Sequence, residues 1–329
     1  MSNINIKTGY ENKNSGLLLS QISNYINHAP LRRLKRSGSL GLSNNSIRNL
    51  KRFYDLIVAF EMYLGEKVML NAIDHKLVYM FKEWLLSERV YSLNNAGLQL
   101  KLLKMICKEA ERMSIEVNPY TRHIESFTQK SKDRILQTIS FEEIKTIKSI
   151  SNLPSTLENA RKWILIGLFI GQRVSDLLNL KPLQLRFIEN GVYVDITQQK
   201  TDKSVTVGVV DREVINILKS KFPYTISAQL FNRQIKQICQ IAGINEMVSG
   251  YKLCIKTKRK KLGTHPKSSI LSSHDLRRSF ATNYFGKIET PILMQITGHS
   301  KESTFLSYIG TRVNKDNYAD AFMKVAAML

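Results

Sequence analysis

Between Leu17 and about Met113, apolar residues recur at intervals of three and four, which sets them on one face of successive α-helices. Ser43 stands where a helix N-cap is needed. Ile47, Leu50, Tyr54, Ile57, Phe60 and Leu64 then follow at helical spacing until Gly65 stops the run. Asp74 opens a second helix that buries Leu77, Met80 or Phe81, and Trp84. A third begins near Leu93, carries Leu100, Leu103, Ile106 and Cys107 on one side, and ends ahead of Asn118-Pro119. These stripes read as core and contain no cofactor motif. Residues 1–15 are polar and asparagine-rich, a flexible tail by composition.

Residues 121–136 lose the periodicity and add Arg122, Lys130, Lys132 and Arg134. Such a basic linker suits a strap across a phosphate backbone, and equally a plain solvated connection. Ser140-Phe-Glu-Glu143 is a capping box, in which two side chains satisfy two amides at a helix start. Helical spacing continues to Leu180 and then gives way to period two. Val192, Val194 and Ile196 alternate in one strand and Val205, Val207 and Val209 in the next, around a turn holding Lys200-Thr-Asp-Lys-Ser204. Helices are expected from there to the C-terminus, where Tyr318, Phe322, Val325 and Met328 form one stripe between Asn314 and Leu329. The fold class expected is mainly α: a helical domain at 16–120, the linker, and an α+β domain at 137–329 with a small antiparallel sheet. No internal repeat is visible.

Charge narrows the function. Lys and Arg total 49 against 27 Asp and Glu, a formal net charge of +22. Self-repulsion on that scale is relieved by a polyanionic partner, so nucleic acid or an anionic membrane is implied. The membrane is disfavoured, because the longest apolar run, Trp163–Gly171, has nine residues, against the ~20 of a spanning helix. Cys107, Cys239 and Cys254 are scattered and form no CxxC, as expected of reduced thiols in a cytoplasmic protein. The six histidines show no HxxxH or HExxH spacing, and there is no GxxxxGK[ST] or GxGxxG. No protein-held metal and no nucleotide cofactor are expected.

Four segments carry candidate chemistry. Ser272-Ser-His-Asp-Leu-Arg-Arg278 puts His274 and Arg277 on one face of a helix start, where free amides already favour an anion. Arg173 follows an apolar helix in Gly171-Gln-Arg-Val-Ser-Asp176, with a salt bridge to Asp176 as its plainest use. Lys200 and Lys203 sit at the hairpin tip, where lysine either reaches a ligand or protects a strand edge. Gly298-His299 precedes a short amphipathic helix containing Tyr308.

Taken together, Arg … Lys-in-hairpin … HxxR … GHx8Y resembles the tyrosine recombinases, the phage and transposon integrases and Xer-type enzymes, over nearly the whole chain from about residue 16. The likeness is greatest in Phe169–Leu180, Ser273–Thr282 and Ile296–Ile309. The Gln-Gln-Lys-Thr hairpin looks most like integrases of Bacteroidetes mobile elements. The resemblance implies a core-binding domain and a catalytic domain of the DNA-breaking-rejoining fold, closing as a C-shaped clamp on duplex DNA. Arg173 and Arg277 would clamp the nonbridging oxygens of the scissile phosphate, and Tyr308 would attack it, leaving a 3′-phosphotyrosyl link and a 5′-hydroxyl. His274 would assist proton removal, His299 would orient the phosphate, Lys200 would protonate the leaving oxygen, and Asp176 would steady the surroundings of Arg173. A free phenol titrates near ~10, so forming the anion at pH 7 costs roughly 4 kcal/mol that the cluster must offset.

Further contacts to phosphate are expected from Lys203 and from the loop Lys252–Lys267, with Lys256, Lys258, Arg259, Lys260 and Lys261. The partners implied are double-stranded DNA and a homotetramer on paired recombination sites, with a monomer off DNA and room for accessory DNA-bending proteins. The tail stripe would then dock into a neighbouring protomer, or else fold back on its own domain. Integration or excision of a mobile element and inversion of a DNA segment all fit. Two other readings stay open here: a type IB topoisomerase-like enzyme, against which the separate helical domain speaks, and a DNA-binding regulator with a silent site, against which all six filled positions speak.

Overall fold

The computed structural model describes residues 16–32, 40–129, 135–255 and 259–309, with Met323, Ala326 and Ala327 beyond them. The candidate contacts Lys130, Lys132, Arg134, Lys256 and Lys258, the tyrosine Tyr318 and the tail stripe lie outside the described residues. By its internal contacts the chain divides into two units, residues 1–130 and 131–329.

The first unit is helical. It comprises α1 (Leu18–Asn27), α2 (Asn44–Leu64), α3 (His75–Leu86), α4 (Leu93–Arg112) and a 3-10 turn at Pro119–His123. Ser43, Asp74 and Ser92 cap α2, α3 and α4 by accepting from backbone amides, and Gly65 ends α2 in the left-handed conformation. Phe53, Phe60, Phe81, Trp84, Leu100, Leu103 and Ile106 are buried together. Phe60 centres this core, with ring centroids 4.8 Å from Phe81 and 5.1 Å from Trp84. Emptying such a position destabilises a core by about 3–5 kcal/mol. Arg122 is exposed and paired with Glu111 of α4.

The second unit begins with α5 (Phe141–Lys148), whose capping box joins Ser140 and Glu143, and α6 (Ser155–Ile170). Trp163, Ile164, Leu165, Ile166 and Ile170 are all buried, so α6 has no solvent stripe and runs through the core. It packs against α8 (Arg212–Ser220), α9 (Ala228–Ile241) and α11 (Ser273–Tyr284). After α7 (Val174–Leu178) comes an antiparallel sheet of β1 (Leu185–Ile188), β2 (Gly191–Thr197) and β3 (Ser204–Val209) in sequential order. Val192, Val194 and Ile196 face the core with Val205, Val207 and Val209, and the positions between them are mostly exposed. The last elements are α10 (Lys267–Ile270), α12 (Thr290–Thr297) and α13 (Glu302–Leu306).

The reading of helices and a basic loop, without further strands, after residue 209 is corrected by a hairpin, β4 (Met247–Cys254) and β5 (Arg259–Pro266). Lys252, Arg259, Lys260 and Lys261 are therefore strand residues rather than loop residues. Directly opposite residues share a face, so Tyr251 and Leu262 lie on one side and Lys252 and Lys261 on the other. The alternation of Tyr251, Leu253 and Ile255 with lysines and cysteine is a period-two pattern that the density of basic residues obscures. β1 also adds a strand that the sequence reading did not contain.

Candidate active site

Four chain segments converge in the second unit, each delivered by a helix boundary. α6 ends at Gly171 (φ +63°), where a Cβ would stand 2.4 Å from the Phe280 ring, so the residue must be glycine for both backbone and packing. The chain leaves that turn extended and presents Arg173 as the N-cap of α7. α11 starts with Ser272, whose amide and hydroxyl both donate to Asp275 Oδ2 at 2.8 and 2.7 Å. One turn further on, Arg277 is 2% exposed and donates to the Gly171 and Thr297 carbonyls, tying together the C-termini of α6 and α12. α12 closes on Gly298 (φ +64°), which turns His299 inward. α13 then brings back Tyr308.

Tyr308 meets α11 and the turn after α12. Its hydroxyl lies 3.4 Å from His274 Nδ1 and donates toward the His274 carbonyl at 3.3 Å. Its ring stands edge-on to His274 at 4.9 Å and tilted to His299 at 5.2 Å. The guanidinium carbons of Arg277 and Arg278 lie 5.9 and 5.2 Å from the ring centre. Lys200 is exposed on the β2–β3 turn, and Lys203 donates to Ser300 Oγ at 3.3 Å.

The electrostatics favour a bound anion. Burial, with the charges of Arg278, Arg277, Arg173 and Lys200, pushes His274 down to about 4. Burial, with Arg277, Arg173, His274 and Lys203, does the same to His299. Both imidazoles are neutral at pH 7, and burial lowers Arg277 to about 10, which leaves it charged. Tyr308 is raised above its ordinary value by burial, with Arg277 and Arg278 opposing, so the resting phenol is protonated. Thr297 donates its one hydroxyl proton to the Leu293 carbonyl at 2.6 Å, which leaves its oxygen to accept from His299 Nδ1 at 2.8 Å. His299 Nε2 is then the unprotonated nitrogen.

One expectation changes. Asp176 does not pair with Arg173: its Oδ1 accepts from the Gln199 amide at 3.0 Å, and its buried Oδ2 has no hydrogen-bond partner among the described residues. The carboxylate instead supports the Arg277 charge and pins the base of the hairpin that carries Lys200. Arg173 donates to the buried amide oxygen of Gln198 at 2.9 Å. The sequence reading passed over Gln198, Gln172, Thr297 and the buried Asp275–Arg278 ion pair. The available signal was position, since Gln172 and Arg278 adjoin named arginines and Gln198 lies two residues before Lys200. Among the described residues no group of three or more His, Cys, Asp or Glu side chains is placed to hold a metal. Nor is any helix of the described residues long and apolar enough to cross a membrane.

Residues 18–128 match the phage integrase SAM-like domain, and residues 137–315 match the phage integrase family. No curated protein matches the sequence. Among solved structures, the chain is similar to the Tn1549 transposon integrase in complex with a circular intermediate DNA. There identity is 14% and the TM-score 0.64, over 94% of this chain and 99% of that one. For a lambda integrase tetramer bound to a Holliday junction the values are 15% and 0.62, over 92% and 83%. For XerH site-specific recombinase bound to its difH substrate they are 15% and 0.61, over 95% and 97%. At these identities the likeness establishes a common fold. With the integrase match spanning more than half its length, the chain belongs to the phage integrase family, the tyrosine-type site-specific recombinases.

Proposed function

We propose that this recombinase cuts and rejoins duplex DNA through Tyr308. The carrying observation is the Tyr308 hydroxyl 3.4 Å from a neutral His274, inside a cluster whose cations, Arg173, Arg277, Arg278, Lys200 and Lys203, outnumber the carboxylates Asp176 and Asp275 and leave a place in the charge balance for a further anion. A scissile phosphodiester supplies that anion. Arg173 and Arg277 take its nonbridging oxygens, where their fixed forks neutralise charge as the phosphorane forms. The Tyr308 oxygen forms a bond to phosphorus, its proton passes to His274, and the bond to the 5′ oxygen breaks with a proton delivered by Lys200. The 3′-phosphotyrosyl bond conserves the phosphodiester's energy, so religation by an incoming 5′-hydroxyl reverses the same steps. Phosphate binding also makes His274 a stronger base, because the bound negative charge opposes the cations that hold it at about 4. His299 Nε2, unprotonated at rest, takes up a proton from solvent to hydrogen-bond the phosphate, whose charge offsets the cations that hold the ring at about 4.

Residues 16–120 serve as the core-binding domain, 121–136 as a basic strap and 137–329 as the catalytic domain. The net charge of +22 supports a grip made chiefly on phosphate. Exposed Lys203, Arg122 and the basic face of the β4–β5 hairpin, with Lys252, Arg259 and Lys261, are further places for backbone contacts. The protein works in the cytoplasm as a homotetramer on paired sites, assembled from monomers on DNA, with accessory DNA-bending proteins as an option of the target. Integration, excision and inversion share one chemistry and differ in where the two sites lie. The test uses suicide DNA that loses its 5′ end after cleavage. Wild type forms a covalent 3′ adduct and Tyr308→Phe forms none; an adduct with Tyr308→Phe, or its loss in Tyr318→Phe alone, moves the nucleophile elsewhere.

A further inference from the structure

We propose that Gln198 and Gln172 are positioning residues, a buried relay of two amides that sets the Arg173 guanidinium for the phosphate and keys it to the turn bearing His299. The inference rests on the active-site reading above. Gln198 is 0% and Gln172 1% exposed. Gln198 Oε1 accepts from Arg173 at 2.9 Å and from Thr201 Oγ1 at 2.8 Å. Its Nε2 donates to Gln172 Oε1 at 2.9 Å and to the Ile296 carbonyl at 3.4 Å. Gln172 Nε2 in turn donates to the Ile170 and Ile296 carbonyls, both at 2.9 Å.

Every donor and acceptor of the two amides is thereby occupied, and this assigns their direction. A flipped Gln198 would set an NH2 group against the guanidinium and lose both acceptor contacts. Buried networks with all members satisfied are rigid, because any rearrangement strands a polar group. The relay spans three segments that are distant in sequence: the end of α6 with Arg173, the β2–β3 turn with Lys200, and the end of α12 just before Gly298-His299. It is closed from the other side by Gly298, where a Cβ would stand 2.1 Å from Gln198 Oε1.

The choice of amide over carboxylate has a chemical consequence. A Glu at 198 would fill the same volume and hold Arg173 more tightly, but as an ion pair it would spend the positive charge that the phosphate needs. Among the described residues Arg173 has no ion pair, and the nearby Asp176 accepts from a backbone amide instead. Gln198 aims the guanidinium and leaves its charge available. The relay contributes geometry rather than charge and touches no reacting atom.

The experiment measures single-turnover formation of the covalent adduct, single-site DNA affinity and thermal stability in the full chain. The variants are Gln198→Met, Gln198→Glu, the paired Gln172→Met/Gln198→Met, Arg173→Lys, and Gln198→Met combined with Arg173→Lys. The paired methionine variant removes both ends of one hydrogen bond at nearly constant volume and keeps a folded comparison available if a single change unfolds the chain. Cleavage by the folded Gln198 variants is expected to fall on the order of 10²-fold, the cost of a small misplacement of a catalytic group, with affinity changed little in Gln198→Met and lowered in Gln198→Glu by its added negative charge. Combined with Arg173→Lys, the Gln198→Met change should add little further loss, since both act through one guanidinium. A 5′-bridging sulfur substrate, which leaves without a proton, should not restore Gln198→Met. Wild-type cleavage by folded Gln198 variants, fully multiplicative losses in the combination, or rescue by sulfur would each overturn the relay. Wild-type cleavage by Arg173→Lys would instead overturn the active-site reading beneath it.

Discussion

Gly298→Ala adds one methyl group at the point where the relay, the His299 turn and a left-handed backbone meet. Gly298 sits at φ +64°, a conformation that costs an alanine roughly 1–2 kcal/mol. The new Cβ would also lie 2.1 Å from Gln198 Oε1 and 2.8 Å from its Cδ and Nε2, so the amide has to move. Moving it breaks contacts to Arg173, Thr201 and Gln172 in a buried site. Each polar group left without a partner there costs about 1–3 kcal/mol. One such loss with the backbone term gives about 2–5 kcal/mol, or about 4–20 °C in Tm for a unit of this size. Urea unfolding of Gly298→Ala, Gln198→Ala and the double variant separates the contributions. With Gln198 already truncated, Gly298→Ala should cost only its backbone strain, about 1–2 kcal/mol. Equal costs in both backgrounds, or a cost below about 1 kcal/mol in the wild-type background, would refute the claim that Gln198 makes glycine obligatory. Adduct formation should fall with the displaced amide, because Arg173 loses its guide.

Three other outcomes are expected. His274 and His299 are held at about 4 against an ordinary 6.5, so between those values the unfolded chain binds more protons than the folded one. Stability from this source therefore falls as pH drops from 6.5 toward 4 and falls no further below; the fall should flatten in a His274→Gln/His299→Gln variant, and an equal slope in that variant would contradict the burial argument. Lys200→Ala should slow cleavage far more than binding and recover on a 5′-bridging sulfur substrate, whereas recovery of Lys203→Ala alone would move the acid to Lys203. Changing Lys252, Arg259 and Lys261 to Gln should weaken binding to all DNA sequences alike and lower the salt-dependence slope by roughly one per lost contact; an unchanged slope would place this hairpin away from DNA.

Much of the architecture is readable in the amino-acid order, because its causes are local. Ser43, Asp74 and the Ser140–Glu143 box mark helix starts through contacts within four residues. The alternating valines of β2 and β3 mark a half-buried sheet through the two-residue repeat of a strand. The β4–β5 hairpin was missed for a local reason too: lysines occupy one of its faces, and a pattern search weighted by hydrophobicity passes over a strand with so little apolar content. The motif residues could be named from order and spacing, yet nothing in their order says what each one touches. Asp176 lies three residues from Arg173 and would pair with it on proximity alone, but packing of the hairpin hands its carboxylate to the Gln199 amide. Arg173 then depends on Gln198, whose direction is decided by Gln172 and the Ile296 carbonyl. The neutrality of His274 and His299 likewise follows from burial among cations drawn from distant segments. Periodicity and capping report short-range forces along the chain; hydrogen-bond partners and protonation states depend on which segments the folded core presses together, and only the tertiary structure decides that.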